Sequence, residues 1–137
     1  MTTLRSFYRL ANDPSCEKEI AGGLLHELFH VLGVMHTQQR ADRDQHIDIL
    51  PDNIKERFRY EYEVCEECKD HGVPYDCNSI MHAGLETFSV GYPEPTMRSK
   101  NNETCQLKWV APAFAHDGKG ATAMDWLLLK RIADKLC

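Results

Sequence analysis

Three histidines in one stretch of the chain have the spacing of metal ligands. His26 and His30 are four residues apart, so on a helix both imidazoles project from one face and can reach a single ion. Glu27 lies beside them and is placed to take a proton from a metal-activated water. Gly33 permits a sharp turn that can return His36 as a third nitrogen ligand. The sequence therefore predicts that His26, His30 and His36 bind zinc and that Glu27 is the general base.

These residues fill a long motif of fixed spacing. The chain reads H-E-L-F-H-V-L-G-V-M-H over residues 26–36, which matches every fixed position of the zinc-binding motif of metzincin proteases. The first alternative is a core helix that carries three histidines without binding metal, and the Glu and Gly in their motif positions count against it. The second alternative, a small structural zinc protein, requires four protein ligands, whereas we find three. A zinc site with an open coordination position is the favoured interpretation.

One helix must hold the first two histidines. Apolar residues recur at steps of three and four within residues 19–35, which is the spacing of a buried amphipathic helix. They are Ile20, Leu24, Leu25, Leu28, Phe29, Val31 and Leu32. Gly33 comes just after the last of them and suits a left-handed C-terminal cap, so we predict that the helix stops near Gly33.

Few other regular elements are predicted before the C-terminus. Aromatic residues favour a strand over residues 4–10, and an I-D-I-L segment favours a short strand over residues 47–50. A short helix is expected around residues 53–62. Residues 71–120 are rich in Gly, Pro, Asn and Ser and lose periodicity, so we predict irregular loops there.

A second helix is predicted at the C-terminus. Thr122 and Asp125 form a Thr-x-x-Asp capping pair, which is typical of a helix start. Apolar residues then recur every four positions to the end of the chain. We therefore expect an amphipathic terminal helix.

Composition limits the class of protein. The chain has 137 residues, of which 42% are hydrophobic and 27% charged, as in a single globular domain. The formal net charge of -5 provides no positive field for phosphates, so we expect no nucleic-acid partner. No apolar run approaches the roughly 20 residues that a spanning helix needs, so we expect no membrane span.

Six cysteines in so short a chain indicate an oxidising compartment. We therefore expect a secreted or extracellular protein. Cys65 and Cys68, with His71 and Cys77 following, could form a second zinc site. The oxidising context and the acidic residues around them favour disulfides instead.

Two further stretches resemble the astacin family of secreted zinc endopeptidases. The chain reads T-Q-Q-R-A-D-R-D-Q-H-I-D-I over residues 37–49 and Y-D-C-N-S-I-M-H-A-G over residues 75–84. The resemblance spans nearly the entire chain. It implies an α+β metzincin or zincin-like protease domain with two lobes around a zinc cleft, one Zn²⁺ per chain, and a protein or peptide substrate. It also implies that Met81 lies beneath the zinc site as the apolar floor of a Met-turn.

The chain departs from the family pattern at several positions. Ala83 follows the Met-turn where the family carries a tyrosine that donates to the developing oxyanion, and Thr37 stands where the family has a glutamate that anchors the mature N-terminus. The chain starts about 25 residues before His26, so we expect the N-terminal lobe to be largely truncated. Cys16 and Cys137 match positions that pair with upstream cysteines in the family, so here they either pair with each other or stay unpaired.

Together the residues and the resemblance predict one astacin-like peptidase domain over residues 1–137, partial at its N-terminus. We expect a zinc-dependent endopeptidase that hydrolyses peptide bonds with a metal-activated water and Glu27 as base. Ala83 and the short N-terminus favour an impaired activity. The alternative is a catalytically weak or inactive homologue that acts as a zinc-containing binding module.

Overall fold

The computed structural model describes residues 17–68, 70–114 and 120–136. Within these residues the regular elements are two α-helices, α1 (Glu17–Val31) and α2 (Ala123–Leu136), and one antiparallel sheet of two strands, β1 (Ile47–Ile49) and β2 (Met97–Ser99). Short 3₁₀ helices connect them at Thr37–Gln39, Arg43–Gln45, Pro51–Asn53, Glu56–Tyr62 and Pro112–Phe114. The expected α+β class is confirmed in this part of the chain.

Helix α1 ends as the sequence predicts. Gly33 has a φ of 87°, in the left-handed region that favours glycine. The N–H of Val34 donates to the carbonyl of Phe29 (3.0 Å), and the N–H of Gly33 donates to the carbonyl of His30 (2.9 Å). These two bonds form a Schellman cap, which satisfies the last carbonyls of the helix and turns the chain back on itself.

The sheet is only partly predicted. Strand β1 lies within residues 47–50, as expected, but β2 falls inside residues 71–120, so the prediction of irregular loops there is wrong for residues 97–99. Ile47 and Met97 are fully buried on one face of the sheet, and on the other face Asp48 forms ion pairs with Arg98 (2.9 Å) and Lys100 (3.2 Å). A three-residue strand shows no periodicity of its own, so its partner strand defines it.

The other predicted elements are a C-terminal helix, a short helix around residues 53–62 and a strand over residues 4–10. The C-terminal helix is confirmed as α2. The short helix expected around residues 53–62 forms as the 3₁₀ helix Glu56–Tyr62, which is tighter than an α-helix. The strand expected over residues 4–10 lies outside the described residues. None of the described helices has the length and apolar character needed to cross a bilayer.

Two hydrophobic clusters hold the described elements together. The first surrounds the sheet and includes Ile47, Ile54, Tyr62, Cys77, Ala83, Met97 and Cys105. The second joins α1 to α2 and includes Phe29, Val34, Ile80, Met81 and Ala113. The ring of Phe29 contacts the ring of Trp126 edge to face, with centroids 6.0 Å apart. The second cluster therefore places α1 directly over residues 80–81.

Helix α1 has a second apolar face, which no described element covers. This face, the apolar stripe of α1, consists of Leu24, Leu28 and Val31 and continues to Leu32 and Met35 beyond the helix end. The exposed fraction of these residues ranges from 45% to 80%. The helix is thus apolar both where it contacts the core and where it meets solvent.

Candidate metal centre

The structure brings the three motif histidines together. The Nε2 atom of His36 lies 3.1 Å from Nε2 of His30 and 3.3 Å from Nε2 of His26. One ligand atom from each of the three residues lies within 4.8 Å of the others. Helix α1 supplies His26 and His30 from adjacent turns, and the Schellman cap after the helix returns His36 to them. The geometry expected from the spacing is therefore present.

Backbone carbonyls orient two of the rings. The Nδ1 atom of His26 is 2.8 Å from the carbonyl oxygen of Ile80, and Nδ1 of His30 is 2.8 Å from that of Val34. A carbonyl only accepts, so each ring donates from Nδ1 and leaves the lone pair on Nε2. Both lone pairs then point into the space between the three histidines, as in rings prepared to bind a metal.

Burial keeps two of these histidines neutral. Desolvation lowers the pKa of His36 to about 4, and the neighbouring rings of His30 and His26 act in the same direction. Desolvation also lowers the pKa of His26, and the hydrogen bond to the Ile80 carbonyl acts in the opposite direction. Neutral imidazole is the form that coordinates metal, so the site favours the ligand form at neutral pH.

The donor set fits zinc. Nitrogens about 2.0–2.1 Å from a tetrahedral zinc ion lie about 3.3–3.4 Å from one another, close to the two Nε2 separations measured here. No carboxylate or thiolate among the described residues joins the three histidines as a fourth ligand. Three imidazoles with an open position are typical of catalytic zinc, whereas structural zinc has four protein ligands.

Glu27 follows His26 directly on α1 and is exposed to solvent. Its charge acts on His26 and raises the pKa of that ring against the effect of burial. Glu27 is therefore the chain neighbour of a cluster histidine and is accessible from solvent.

The Met-turn contacts the zinc motif through its backbone. Met81 is 1% exposed and packs in the second hydrophobic cluster, and its carbonyl accepts a hydrogen bond from the N–H of Thr37 (3.0 Å), the residue after His36. Thr37 is itself 6% exposed. The backbone thus joins the end of the zinc motif to the Met-turn.

His82 does not join the metal cluster and is 1% exposed. Its Nδ1 donates to the carbonyl of Ala83 (2.8 Å), and its Nε2 accepts from the hydroxyl of Tyr75 (3.0 Å). Burial lowers the pKa of His82, which agrees with a neutral ring in this bonding pattern.

The cysteines form disulfides rather than a second zinc site in the described residues. Cys65 is bonded to Cys68, and Cys77 is bonded to Cys105. The expectation of disulfides is confirmed for these four. Cys16 and Cys137 lie outside the described residues.

Sequence reasoning missed two supports of the centre. The first is the segment 109–113: a Cβ on Gly22 would lie 2.2 Å from the carbonyl oxygen of Ala113, and a Cβ on Gly84 would lie 2.3 Å from the backbone nitrogen of Ala111. The second is Asp125, which reaches residues 79–80 from α2. The capping pair identified Asp125 as a helix start, but nothing in the sequence indicates its second set of partners.

Comparison with known proteins agrees with this geometry. Residues 9–109 match the family model of Astacin, a peptidase family. Zinc metalloproteinase nas-25 of Caenorhabditis elegans is 40% identical over 81 residues, and nas-39 of the same organism is 38% identical over 96 residues. High choriolytic enzyme 1, a hatching enzyme zinc-protease from Oryzias latipes, superposes with a TM-score of 0.69 at 28% sequence identity.

The matches cover unequal shares of the proteins compared. They include 58% and 69% of this chain but 20% of nas-25 and 10% of nas-39. The structural match includes 80% of this chain and 50% of the hatching enzyme chain, which confirms the expected zincin-like fold. The family model alone spans more than half of the chain, from residue 9 to residue 109. The chain belongs to the astacin family of metallopeptidases.

Proposed function

We propose that residues 1–137 form one astacin-like peptidase domain that hydrolyses peptide bonds with zinc held by His26, His30 and His36. The observation that carries the proposal is the convergence of three Nε2 atoms, with separations of 3.1 Å and 3.3 Å, beside an exposed carboxylate. The family is zinc-dependent, which supports zinc over other metals. The substrate class that follows is protein or peptide.

In this mechanism the chain supplies positioning and proton transfer. When bound, zinc supplies Lewis-acid polarisation of the scissile carbonyl and lowers the pKa of a water. The carbonyls of Ile80 and Val34 accept hydrogen bonds from Nδ1 of His26 and His30, which leaves Nε2 of each ring as the atom that would bind the metal. Glu27 accepts the proton of the attacking water and returns it to the leaving amine nitrogen.

The proposed setting is outside the cell. Two disulfides among the described residues support an oxidising compartment, as does membership of a family whose members are typically secreted. We therefore include secretion in the proposal.

A second function, a zinc-containing binding module without strong activity, is favoured by one observation. Ala83 stands where the family has its oxyanion-binding tyrosine, and Ala83 is only 9% exposed. Its N–H donates to Gln38 (3.1 Å) and its carbonyl accepts from His82. Alanine has no side-chain donor, and the N–H of Ala83 is already bonded, so residue 83 cannot donate to an oxyanion. Loss of one such donor typically costs on the order of a hundredfold to a thousandfold in rate.

Metal content tests the ligand assignment first. The purified protein is expected to hold about one zinc per chain, and His30→Ala is expected to lose it. His46→Ala is the matched control, because His46 stacks on Tyr75 (centroids 4.4 Å apart) and lies outside the cluster. Equal zinc in the parent and in His30→Ala would refute the ligand assignment.

Hydrolysis then separates the two functions. Glu27→Gln is expected to keep zinc and lose hydrolysis of an unstructured protein, since an amide cannot accept the water's proton. Glu56→Gln, an exposed glutamate on the 3₁₀ helix, is the control and should change neither quantity. A zinc-loaded parent protein without chelator-sensitive turnover would favour the binding module.

A further inference from the structure

Asp125 makes more contacts than a helix cap needs. It is 3% exposed, and its reciprocal bonds with Thr122 form the capping box of α2: Oδ2 accepts from the N–H of Thr122 (2.8 Å), and the N–H of Asp125 donates to Oγ1 of Thr122 (3.2 Å). The same carboxylate accepts from the hydroxyl of Ser79 (2.5 Å) and from the N–H of Ile80 (3.0 Å). Two of these four hydrogen bonds therefore join α2 to Ser79 and Ile80, which are far away in the sequence.

The bonds of Asp125 to Ser79 and Ile80 hold the first residues of the Met-turn in place. Ser79 and Ile80 bond to Asp125 directly, and Oγ of Ser79 accepts from the N–H of Met81 (3.0 Å). All three residues are buried, with exposed fractions of 4%, 0% and 1%. A buried carboxylate that accepts several hydrogen bonds holds its partners more firmly than a neutral group, because charge-assisted bonds are stronger.

Ile80 connects this carboxylate to the histidine cluster. Its N–H donates to Asp125, and its carbonyl accepts from Nδ1 of His26 at 2.8 Å. The carbonyl sets both the tautomer and the direction of the His26 ring, and groups that orient a metal ligand in this way control metal affinity. A shift of the Ile80 backbone would rotate the Nε2 lone pair of His26 away from those of the other two histidines.

We propose that Asp125 is a positioning residue of the metal centre, acting through the backbone of Ile80 on the ring of His26. The proposal rests on the zinc site of the proposed function and adds a residue to it. In this role α2 is part of the centre, although it supplies no ligand.

The test measures Zn²⁺ dissociation constants by competition with a chelator. Asp125→Ala removes every bond of the carboxylate and is expected to weaken zinc binding roughly tenfold to a hundredfold. Thr122→Ala is the control for the cap, since it removes the bonds of the Thr122 hydroxyl to Asp125 and to Asp76 but leaves the bonds of Asp125 to Ser79 and Ile80. Its zinc affinity is expected to stay within about threefold of the parent, although α2 loses a cap.

A spectroscopic readout distinguishes positioning from loss of stability. With Co²⁺ in place of zinc, Asp125→Ala is expected to shift the visible absorption bands, because the coordination geometry changes, whereas Thr122→Ala keeps them. Asp125→Asn retains the side-chain size and one carbonyl oxygen, so an intermediate zinc affinity is expected. If Asp125→Ala does not fold, the zinc affinity of Asp125→Asn tests the positioning role instead.

The outcomes are separable from failure of the proposed function. Equal loss of affinity in Thr122→Ala and the Asp125 variants, or unchanged affinity and Co²⁺ spectra in Asp125→Asn, would overturn the proposal while the zinc site stands. A parent protein that binds no zinc, or binds it equally after His30→Ala, would overturn both. Weak zinc binding and altered spectra confined to the Asp125 variants would support the positioning role.

Discussion

Ala83 is enclosed where a family member would carry an aromatic ring. It packs in the first hydrophobic cluster, and both of its backbone polar groups are hydrogen-bonded, the N–H to Gln38 and the carbonyl to His82. The next residue, Gly84, has backbone atoms of residues 109–111 so close that a Cβ would not fit. The surroundings of residue 83 are therefore suited to a small side chain.

This enclosure predicts the effect of restoring the tyrosine. Ala83→Tyr is expected to lower the free energy of unfolding by about 1–3 kcal/mol, because overpacking a filled site forces side chains and backbone to move. Hydrolysis is not expected to increase. Urea unfolding and steady-state turnover measure both effects, with Ala83→Ser as the small-side-chain control. A tyrosine variant as stable as the parent and with a higher kcat would contradict the prediction and place the ring in the cleft.

At the residue scale, predictability depends on sequence distance. His26, Glu27, His30 and His36 lie within eleven consecutive residues, and helix periodicity with one glycine turn brings their side chains together. Asp125 contacts Ile80 at a sequence separation of 45 residues, and no local sequence pattern indicates such a contact. The sequence could therefore predict the first group and not the second.

Among the elements, α1 is held in place by the backbone of the segment 109–113. This backbone contacts the helix at Gly22, one turn before His26. Gly22 faces the carbonyl of Ala113 so closely that a Cβ would lie 2.2 Å from the oxygen. The Ala113 side chain is 2% exposed and packs in the cluster beneath α1. The position of the helix thus depends on the absence of a side chain at residue 22.

Gly22→Ala is expected to lower both the thermal midpoint and the zinc affinity, since α1 must move away from Ala113 and takes His26 with it. Intrinsic propensity alone would give the opposite result, because alanine is about 1 kcal/mol better than glycine inside a helix. Gly91→Ala is the control, as a Cβ there meets nothing within 4 Å. Thermal unfolding with and without zinc measures the effect. An unchanged or raised midpoint for Gly22→Ala would show that the segment 109–113 can move to make room for the added methyl group.

Elements that carry their own signals could be predicted, and the others could not. Helices α1 and α2 have apolar periodicity and caps in their sequences, and Gly33 and the pair Thr122–Asp125 mark their ends. Strand β2 spans three residues and exists because it pairs with β1. The 3₁₀ helix Glu56–Tyr62 has Tyr62 as its buried residue, so it lacks the apolar stripe that marks an α-helix in a sequence.

At the scale of the whole molecule, the two disulfides among the described residues constrain very different lengths of chain. Cys65–Cys68 closes a separation of 3 residues, whereas Cys77–Cys105 closes one of 28 and joins the loop before the Met-turn to the segment after β2. Both cysteines of the longer bridge are buried in the first cluster. The longer bridge therefore restricts the unfolded chain more.

Removal of each disulfide is expected to show this difference. The double variant Cys77→Ala/Cys105→Ala should lose roughly 3–4 kcal/mol of unfolding free energy, and Cys65→Ala/Cys68→Ala about 2 kcal/mol, from loop-closure entropy. Chemical denaturation of the two variants beside the parent measures both losses. Equal losses, or a larger loss for the short bridge, would show that native-state contacts rather than chain entropy determine the contributions.

The apolar stripe of α1 affects how the folded state is recognised in the laboratory. Dyes such as ANS fluoresce on exposed apolar surface, and their binding is commonly taken as the mark of a molten globule. Leu24, Leu28 and Val31 offer such a surface on an intact helix, each more than half exposed. Bright dye fluorescence would therefore accompany native packing in this chain. The near-UV circular dichroism of its aromatic residues, including the Phe29–Trp126 contact, reports the tertiary structure instead.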